Sequence, residues 1–145
     1  MTLMSTEFYA FKADGSRLSE LEFLTGLPDP LRFERVKEYT LVTKPWAWLP
    51  VKKRPDPRPD GPDEEVRVTA YRIFGADHNV LWAYFGRKQT ELEGWEENGV
   101  LQRFERFGGN CAMTILEALA AGFGLSVEDE LGFVLGSEEF RGLNP

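Results

Sequence analysis

The clearest periodic pattern of apolar and polar positions runs from Cys111 to Phe123. Apolar residues recur there every three or four positions and polar residues are few, which is typical of a helix buried on most of its surface. Asn110 precedes the pattern, and its side-chain oxygen can accept a hydrogen bond from a backbone N–H of the first turn. The sequence therefore predicts a core helix that begins at Cys111. Its apolar positions are Ala112, Ile115, Leu116, Leu119 and Phe123.

Weaker patterns predict further short helices, each preceded by a hydroxyl residue that can act as an N-cap. They begin after Ser16, Thr90 and Ser126. The segment after Thr90 carries Glu93 three residues later, the spacing of a capping box. A last helical turn is expected over Ser137–Phe140.

Runs of aromatic and β-branched residues predict the strands. They are Glu7–Lys12, Arg32–Thr43, and a hairpin formed by Glu65–Phe74 and Val80–Gly86 around a turn rich in turn-forming residues. Val100–Phe107 fits neither a strand nor a helix better than the other. The predicted fold class is α+β, with a mostly antiparallel sheet of three or four strands packed by C-terminal helices.

Residues 44–64 differ in composition from the rest of the chain, because six of the nine prolines fall between Pro45 and Pro62. Proline removes a backbone donor and disfavours helical conformation at the preceding residue. We expect one long extended loop there. It is not interpreted as a domain linker, since the 43 residues before it are too few for a separate core. Residues 1–145 are therefore expected to form a single domain.

Composition and charge narrow the function classes. Apolar residues make up 42% of the chain and aromatics 13%, which indicates a folded core, and the formal net charge is −7. An acidic surface disfavours nucleic acid and membranes but permits a basic protein partner, although a solvated acidic surface is the simpler interpretation. No signal-peptide pattern or membrane-length apolar run occurs, so a cytoplasmic protein is expected. From Cys111 onward the acids are Glu117, Glu128, Asp129, Glu130, Glu138 and Glu139, against the single base Arg141.

Five aromatic residues are candidate binding residues. Trp46 and Trp48 lie in the proline-rich segment, where they can anchor a partner or fold back onto the sheet as a lid, the interpretation favoured here. The basic run after them is followed at once by acids, which argues against nucleic acid. Trp82, Tyr84 and Trp95 can line a small-ligand pocket between the sheet and the helices.

No metal site or cofactor is predicted. One cysteine and one histidine exclude a cysteine-rich zinc site, and no phosphate-binding loop occurs. His78 is expected to be an exposed residue of the hairpin turn. Cys111 is expected to be a small buried residue, as free cysteines usually are.

Asn110 and Cys111, followed by an apolar helix, allow one catalytic interpretation. This pattern of about ten residues resembles the nucleophile helix of circularly permuted papain-like cysteine hydrolases, in which a histidine on an earlier strand precedes the cysteine. The resemblance implies Cys111 as nucleophile and His78 as base. A thiol in the first turn of a helix also has a lowered pKa, because the helix dipole favours the thiolate.

Two functions from different classes remain after the sequence analysis. The first is a small acidic protein without catalytic activity that binds another protein, as an inhibitor, immunity protein, adaptor or anti-defence factor does. The alternative is a papain-like cysteine hydrolase with Cys111 as its nucleophile.

Overall fold

The computed structural model describes residues 5–57, 61–76, 79–92, 94–107 and 112–144. The described residues form six strands, three α-helices and two short 3₁₀ helices. The strands are β1 (Ser5–Phe11), β2 (Arg32–Thr43), β3 (Glu64–Phe74), β4 (Val80–Lys88), β5 (Leu101–Phe107) and β6 (Ser126–Asp129). The helices are α1 (Glu20–Gly26), α2 (Met113–Phe123) and α3 (Glu138–Leu143), and the 3₁₀ helices are Pro45–Trp48 and Val51–Lys53.

All six strands belong to one sheet in the order β2-β3-β4-β5-β1-β6, and every pairing is antiparallel. The predicted α+β class with an antiparallel sheet is confirmed. The predicted size of three or four strands is wrong, because β5 and β6 join the four strands expected from the sequence. β2 is the long strand at one edge, and its register shifts between Arg35 and Lys37.

β6 replaces the helix predicted after Ser126. Val127 is buried in the core and Glu128 on the opposite face pairs with Tyr9 across the ladder, which is the alternation of a strand. Gly132 and Gly136 then adopt φ of 92° and 96°, in the left-handed region that glycine tolerates and that ends regular helical structure.

β5 is the segment whose pattern was ambiguous. Phe104 packs in the core, and the buried polar Gln102 shares its face. The Gln102 amide accepts from the Ala10 backbone N–H at 3.0 Å and donates to the Ala10 carbonyl at 3.1 Å. This side chain thus takes the place of backbone ladder bonds between β5 and β1, which satisfies its own buried polar atoms.

The helix starts also differ from the predicted ones. α1 is capped by Ser19, which forms a capping box with Glu22, whereas Ser16 hydrogen-bonds to Asp14 in the preceding turn. α2 begins at Met113, two residues later than predicted, and Ala112 at its N-cap makes no side-chain cap bond. The predicted cap, Asn110, lies outside the described residues.

The helix predicted after Thr90 is absent from the described part of that segment. Gln89 instead forms a β-bridge with Trp95, and the backbone N–H of Thr90 donates to the carbonyl of Gly94 at 2.7 Å. The Thr90 hydroxyl accepts from the Gly94 N–H, so it caps a turn rather than a helix. Glu93, the predicted capping-box partner, lies outside the described residues.

The two faces of the sheet are covered by different parts of the chain. The main core lies between one face and the helices, and Phe23 of α1, Leu119 of α2 and Phe140 of α3 are buried in it. On the sheet side it includes Phe8, Ala10, Tyr71, Ile73, Leu81, Ala83, Phe85, Phe104 and Val127. A second, smaller cluster lies on the other face around Trp48.

The proline-rich segment supplies that second cover. It is not extended throughout, because it contains the two 3₁₀ helices; residues 58–60 lie outside the described residues. Trp48 is only 2% exposed and packs on Val66, Val68, Ala70 and Tyr84. Near the middle of the segment, Lys53 forms an ion pair of 2.6 Å with Glu128 of β6.

Replacing Trp48 with alanine is expected to lower the free energy of unfolding by about 3–5 kcal/mol, because a buried tryptophan leaves both lost apolar contact and a cavity. Chemical denaturation of W48A and wild type measures the difference. L92A is the matched control, since Leu92 is 92% exposed and its truncation is expected to change stability by less than about 0.5 kcal/mol. Equal stability of W48A and L92A would contradict the assignment of Trp48 to the core.

Candidate aromatic binding surface

A half-buried aromatic cluster occupies one corner of the sheet face that carries Trp48. Trp82 of β4 lies edge-on to Phe107 of β5, with ring centroids 6.1 Å apart. The guanidinium of Arg72 on β3 lies over both Trp82 and Phe74, at 5.8 and 5.7 Å from the ring centroids. Phe107 is 42% exposed. We call Phe74, Trp82, Phe107 and Arg72 the aromatic patch.

Strand register explains why these residues meet. Arg72 lies directly opposite Trp82, and Trp82 lies directly opposite Glu105. Because side chains alternate between the two faces, residues at even positions of β3 and β4 and at odd positions of β5 share this face. Phe74 and Phe107 follow two residues along their own strands and therefore join the same corner.

Charged groups surround the aromatic patch and pair with one another. Arg72 forms an ion pair with Glu34 of β2. The Tyr84 hydroxyl donates to Glu105 at 2.9 Å. Arg103 lies 4.9 Å from the centroid of the Tyr84 ring and 3.5 Å from a carboxylate oxygen of Glu7. The patch thus has an aromatic centre and a polar rim.

Three of the five predicted binding residues come together on this face. Trp82 and Tyr84 are stacked, with centroids 6.3 Å apart and planes 15° from parallel, and Tyr84 packs against Trp48. Trp48 itself is buried. Of the three, Trp82 is the residue whose side chain is partly exposed, so it is the one placed to contact a ligand or partner.

The other two predicted residues lie elsewhere. Trp46 faces the Arg54 guanidinium at 5.5 Å within the proline-rich segment. Trp95 lies beside Arg67, whose position on β3 directs it to the face opposite Trp82. A single pocket lined by Trp82, Tyr84 and Trp95 is therefore not formed.

Phe74, Phe107 and Arg72 were not among the candidate residues of the sequence analysis. The alternation of β3 is visible in the sequence and places Phe74 and Arg72 on one face. Phe107 was missed because the strand character of β5 was hidden by the buried Gln102.

The acidic C-terminal third is partly engaged inside the protein. Glu128 pairs with Lys53, and Glu130 accepts a hydrogen bond from the Glu7 N–H at 2.8 Å. Asp129 is buried and accepts from the backbone N–H groups of Leu131 and Phe133, each at 3.0 Å, and from Asn144. Three of the six acids thus stabilise the fold. Glu117, Glu138 and Glu139 remain exposed.

The predicted catalytic residues Cys111 and His78 lie outside the described residues. A cavity of about 250 Å³ lies between the start of α2 and the turn that joins β3 to β4. It is mostly apolar. Its lining residues are Pro30, Leu31, Gly75, Ala76, Thr114, Ile115 and Ala118.

Within the described ranges, no group of three or more histidine, cysteine, aspartate or glutamate side chains is arranged to hold a metal ion. In the same part of the chain, no helix has the length and apolar character needed to cross a membrane. The chain matches no protein-family model, no curated protein and no solved structure.

All four tyrosines have raised pKa values, chiefly because burial disfavours the tyrosinate. Neighbouring carboxylates add to the effect: Glu105 raises the pKa of Tyr84, Glu7 that of Tyr9 and Glu20 that of Tyr71. Tyr9 and Tyr84, on the second sheet face, are therefore neutral hydrogen-bond donors to Glu7 and Glu105 over the ordinary pH range.

The native protein is expected to show less tyrosinate absorbance than the unfolded chain near pH 10, where unfolded tyrosines are half ionised. Above that pH the unfolded state holds fewer protons than the native state, so the free energy of unfolding falls as pH rises. Burial lowers the pKa of Arg17 to about 10, which acts in the opposite direction but is one group against four. Spectrophotometric titration of native and urea-unfolded protein measures tyrosine ionisation in each state. Coincident titration curves would contradict it.

Proposed function

We propose that this protein binds another protein through the aromatic patch and has no catalytic activity of its own, as an inhibitor, immunity protein, adaptor or anti-defence factor does. The observation that supports this is the half-exposed corner where Trp82, Phe74 and Phe107 meet Arg72. Tryptophan, aromatic and arginine side chains are enriched at the energetic centres of protein interfaces, surrounded by a polar rim.

The position of the patch on three paired strands favours binding. Its side chains are held by cross-strand neighbours and by ring contacts, so less conformational entropy is lost on association than for a flexible loop. Glu34 and Glu105 lie at its margin and are themselves paired with Arg72 and Tyr84. Such paired rim charges select partners of complementary charge more than they add affinity.

The exposed acids outside the patch indicate which charge the proposed partner carries. Glu117, Glu138 and Glu139 are exposed on α2 and α3, and a basic partner is attracted by them and by the net charge of −7. A chain with a single cysteine suits a reducing compartment, and we propose the cytoplasm as its location.

Affinity capture from native lysate tests this function. Wild-type protein is expected to retain a partner that F107A and R72Q lose, because truncating a central interface residue typically costs about 2 kcal/mol or more, roughly a thirtyfold loss of affinity. L92A is the control, since it also removes an exposed apolar side chain but lies in the turn after β4. Circular dichroism checks that each variant is folded.

Two results would contradict the proposal. One is that wild-type protein retains no partner at any salt concentration. The other is that F107A and L92A retain the same partner equally well, which would place the interface elsewhere.

A cysteine hydrolase remains the second candidate, and one observation favours it. Ala76 stands two residues before His78, Thr114 stands three residues after Cys111, and both line the same 250 Å³ cavity. An acyl-transfer enzyme needs a cavity for its substrate, and sequence neighbours of both candidate residues line this one. However, α2 begins at Met113, which removes the argument that placed the thiol in the first helical turn.

If the protein is a hydrolase, the rate of Cys111 alkylation by iodoacetamide is expected to depend on pH with an apparent pKa well below the free-thiol value of about 8.5. The H78A substitution is expected to raise that apparent pKa towards the free-thiol value. The chain has one cysteine, so all thiol alkylation comes from Cys111, and C111S measures the background reaction. Reaction only after denaturant is added would identify Cys111 as a core residue and remove this candidate.

A further inference from the structure

Three arginines on the helix-bearing face of the sheet converge on a single carboxylate. Glu38 of β2 lies 2.5 Å from Arg35, 3.2 Å from Arg67 of β3 and 3.3 Å from Arg87 of β4. Arg67 and Arg87 are direct cross-strand partners. This arginine cluster lies beyond the end of the main core and on the opposite face from the aromatic patch.

The charges in this cluster are unbalanced. Like charges directly opposite each other in a sheet are destabilising, and one carboxylate cannot form two-bond contacts with three guanidinium groups at once. Two further acids lie nearby, but among the described residues neither forms an ion pair with these arginines, and their oxygens accept hydrogen bonds from neutral groups. Glu20 accepts from the Tyr71 hydroxyl at 2.7 Å, and Glu65 accepts from the Gln89 amide at 3.1 Å.

The hydrogen-bonding capacity of Arg87 also favours an anion ligand. Its side chain is 22% exposed, and its Nε is buried without a hydrogen-bond acceptor. A guanidinium presents five N–H donors in a planar fork that matches the oxygens of a phosphate. The partly exposed Arg87 guanidinium therefore has more N–H donors than its ion pair with Glu38 uses, and these can bind an incoming oxyanion.

Trp95 fixes part of this arrangement. The Arg67 guanidinium lies 5.1 Å from its ring centroid, a cation–π contact that orients the planar group. Trp95 is held by its bridge to Gln89. Arg67 is therefore positioned before any ligand arrives, which lowers the entropy lost on binding.

We propose that Arg35, Arg67 and Arg87 bind a phosphate group, either as free phosphate or as a phosphate monoester. Glu38 holds the three guanidinium groups together and keeps the site partly neutralised when it has no ligand. The proposal does not depend on the function of the aromatic patch, because the two surfaces share no residue and lie on opposite faces.

Thermal unfolding in inorganic phosphate, compared with chloride at equal ionic strength, tests the site. Ligand binding to the native state raises the melting temperature in a saturable manner. Wild type and R141Q are expected to show this rise, since Arg141 is an exposed arginine on α3, and R87Q is expected to lose it.

Phosphate also stabilises proteins without binding to a site, and the matched variants separate the two effects. An equal rise in R87Q and R141Q, or no difference between phosphate and chloride for wild type, would overturn the proposal. Amide NMR titration with inorganic phosphate provides the same comparison for any variant with altered stability. Stronger binding of adenosine monophosphate or of O-phosphoserine than of inorganic phosphate would support the site and identify the source of the group.

Discussion

The Arg17 guanidinium joins three parts of the chain, namely β1, the proline-rich segment and β5. It follows the turn after β1 and donates hydrogen bonds to the carbonyls of Trp48, at 2.8 Å, and of Gln102. It also lies over the ring of Phe11, 5.0 Å from its centroid. Burial lowers its pKa to about 10, because the charged form loses hydration inside the protein. Without this cation, two buried carbonyls would lose their donor and the proline-rich segment its anchor.

The position of the anchored segment determines what the second sheet face can do. Helices pack on the first face over the main core, but Trp48 reaches only part of the second face. The boundary of that cover runs past Tyr84, and beyond it lie Trp82 and Phe107. An aromatic surface is thus half exposed because the covering segment ends there, and its rigidity comes from the sheet beneath it.

The sequence predicted those elements whose side-chain pattern reflects a single dominant environment. β3 alternates along its length, β4 is a run of aromatic and aliphatic residues, and the apolar stripe of α2 has the helical period, so these three elements were recognised. β5 was ambiguous because its buried face carries Gln102, a polar residue that replaces backbone bonds. β6 has only four residues, and its one core position, Val127, also fits a helical spacing with residues that are exposed in the structure. Whether such a segment forms a strand depends on the strand that pairs with it, and the local sequence pattern carries no information about that partner.

The candidate sites were predictable to the same degree. Trp82 and Tyr84 were selected as aromatic residues of a strand, and because they are two residues apart on β4 they lie on the same face. The arginine cluster was not predicted, because Arg35, Arg67 and Arg87 are scattered singly along the chain and only strand pairing makes them neighbours. Cross-strand proximity between distant segments is set by the fold as a whole rather than by any local run of residues.

The register shift in β2 has a consequence for how this sheet meets other molecules. A twelve-residue strand at a sheet edge would normally offer a row of backbone groups on which a further strand can grow. The shift between Arg35 and Lys37 breaks that row, and the charged side chains around it oppose close approach of another backbone. Contacts with other molecules are thereby directed to the faces of the sheet, where side chains rather than the uniform main chain decide what is recognised.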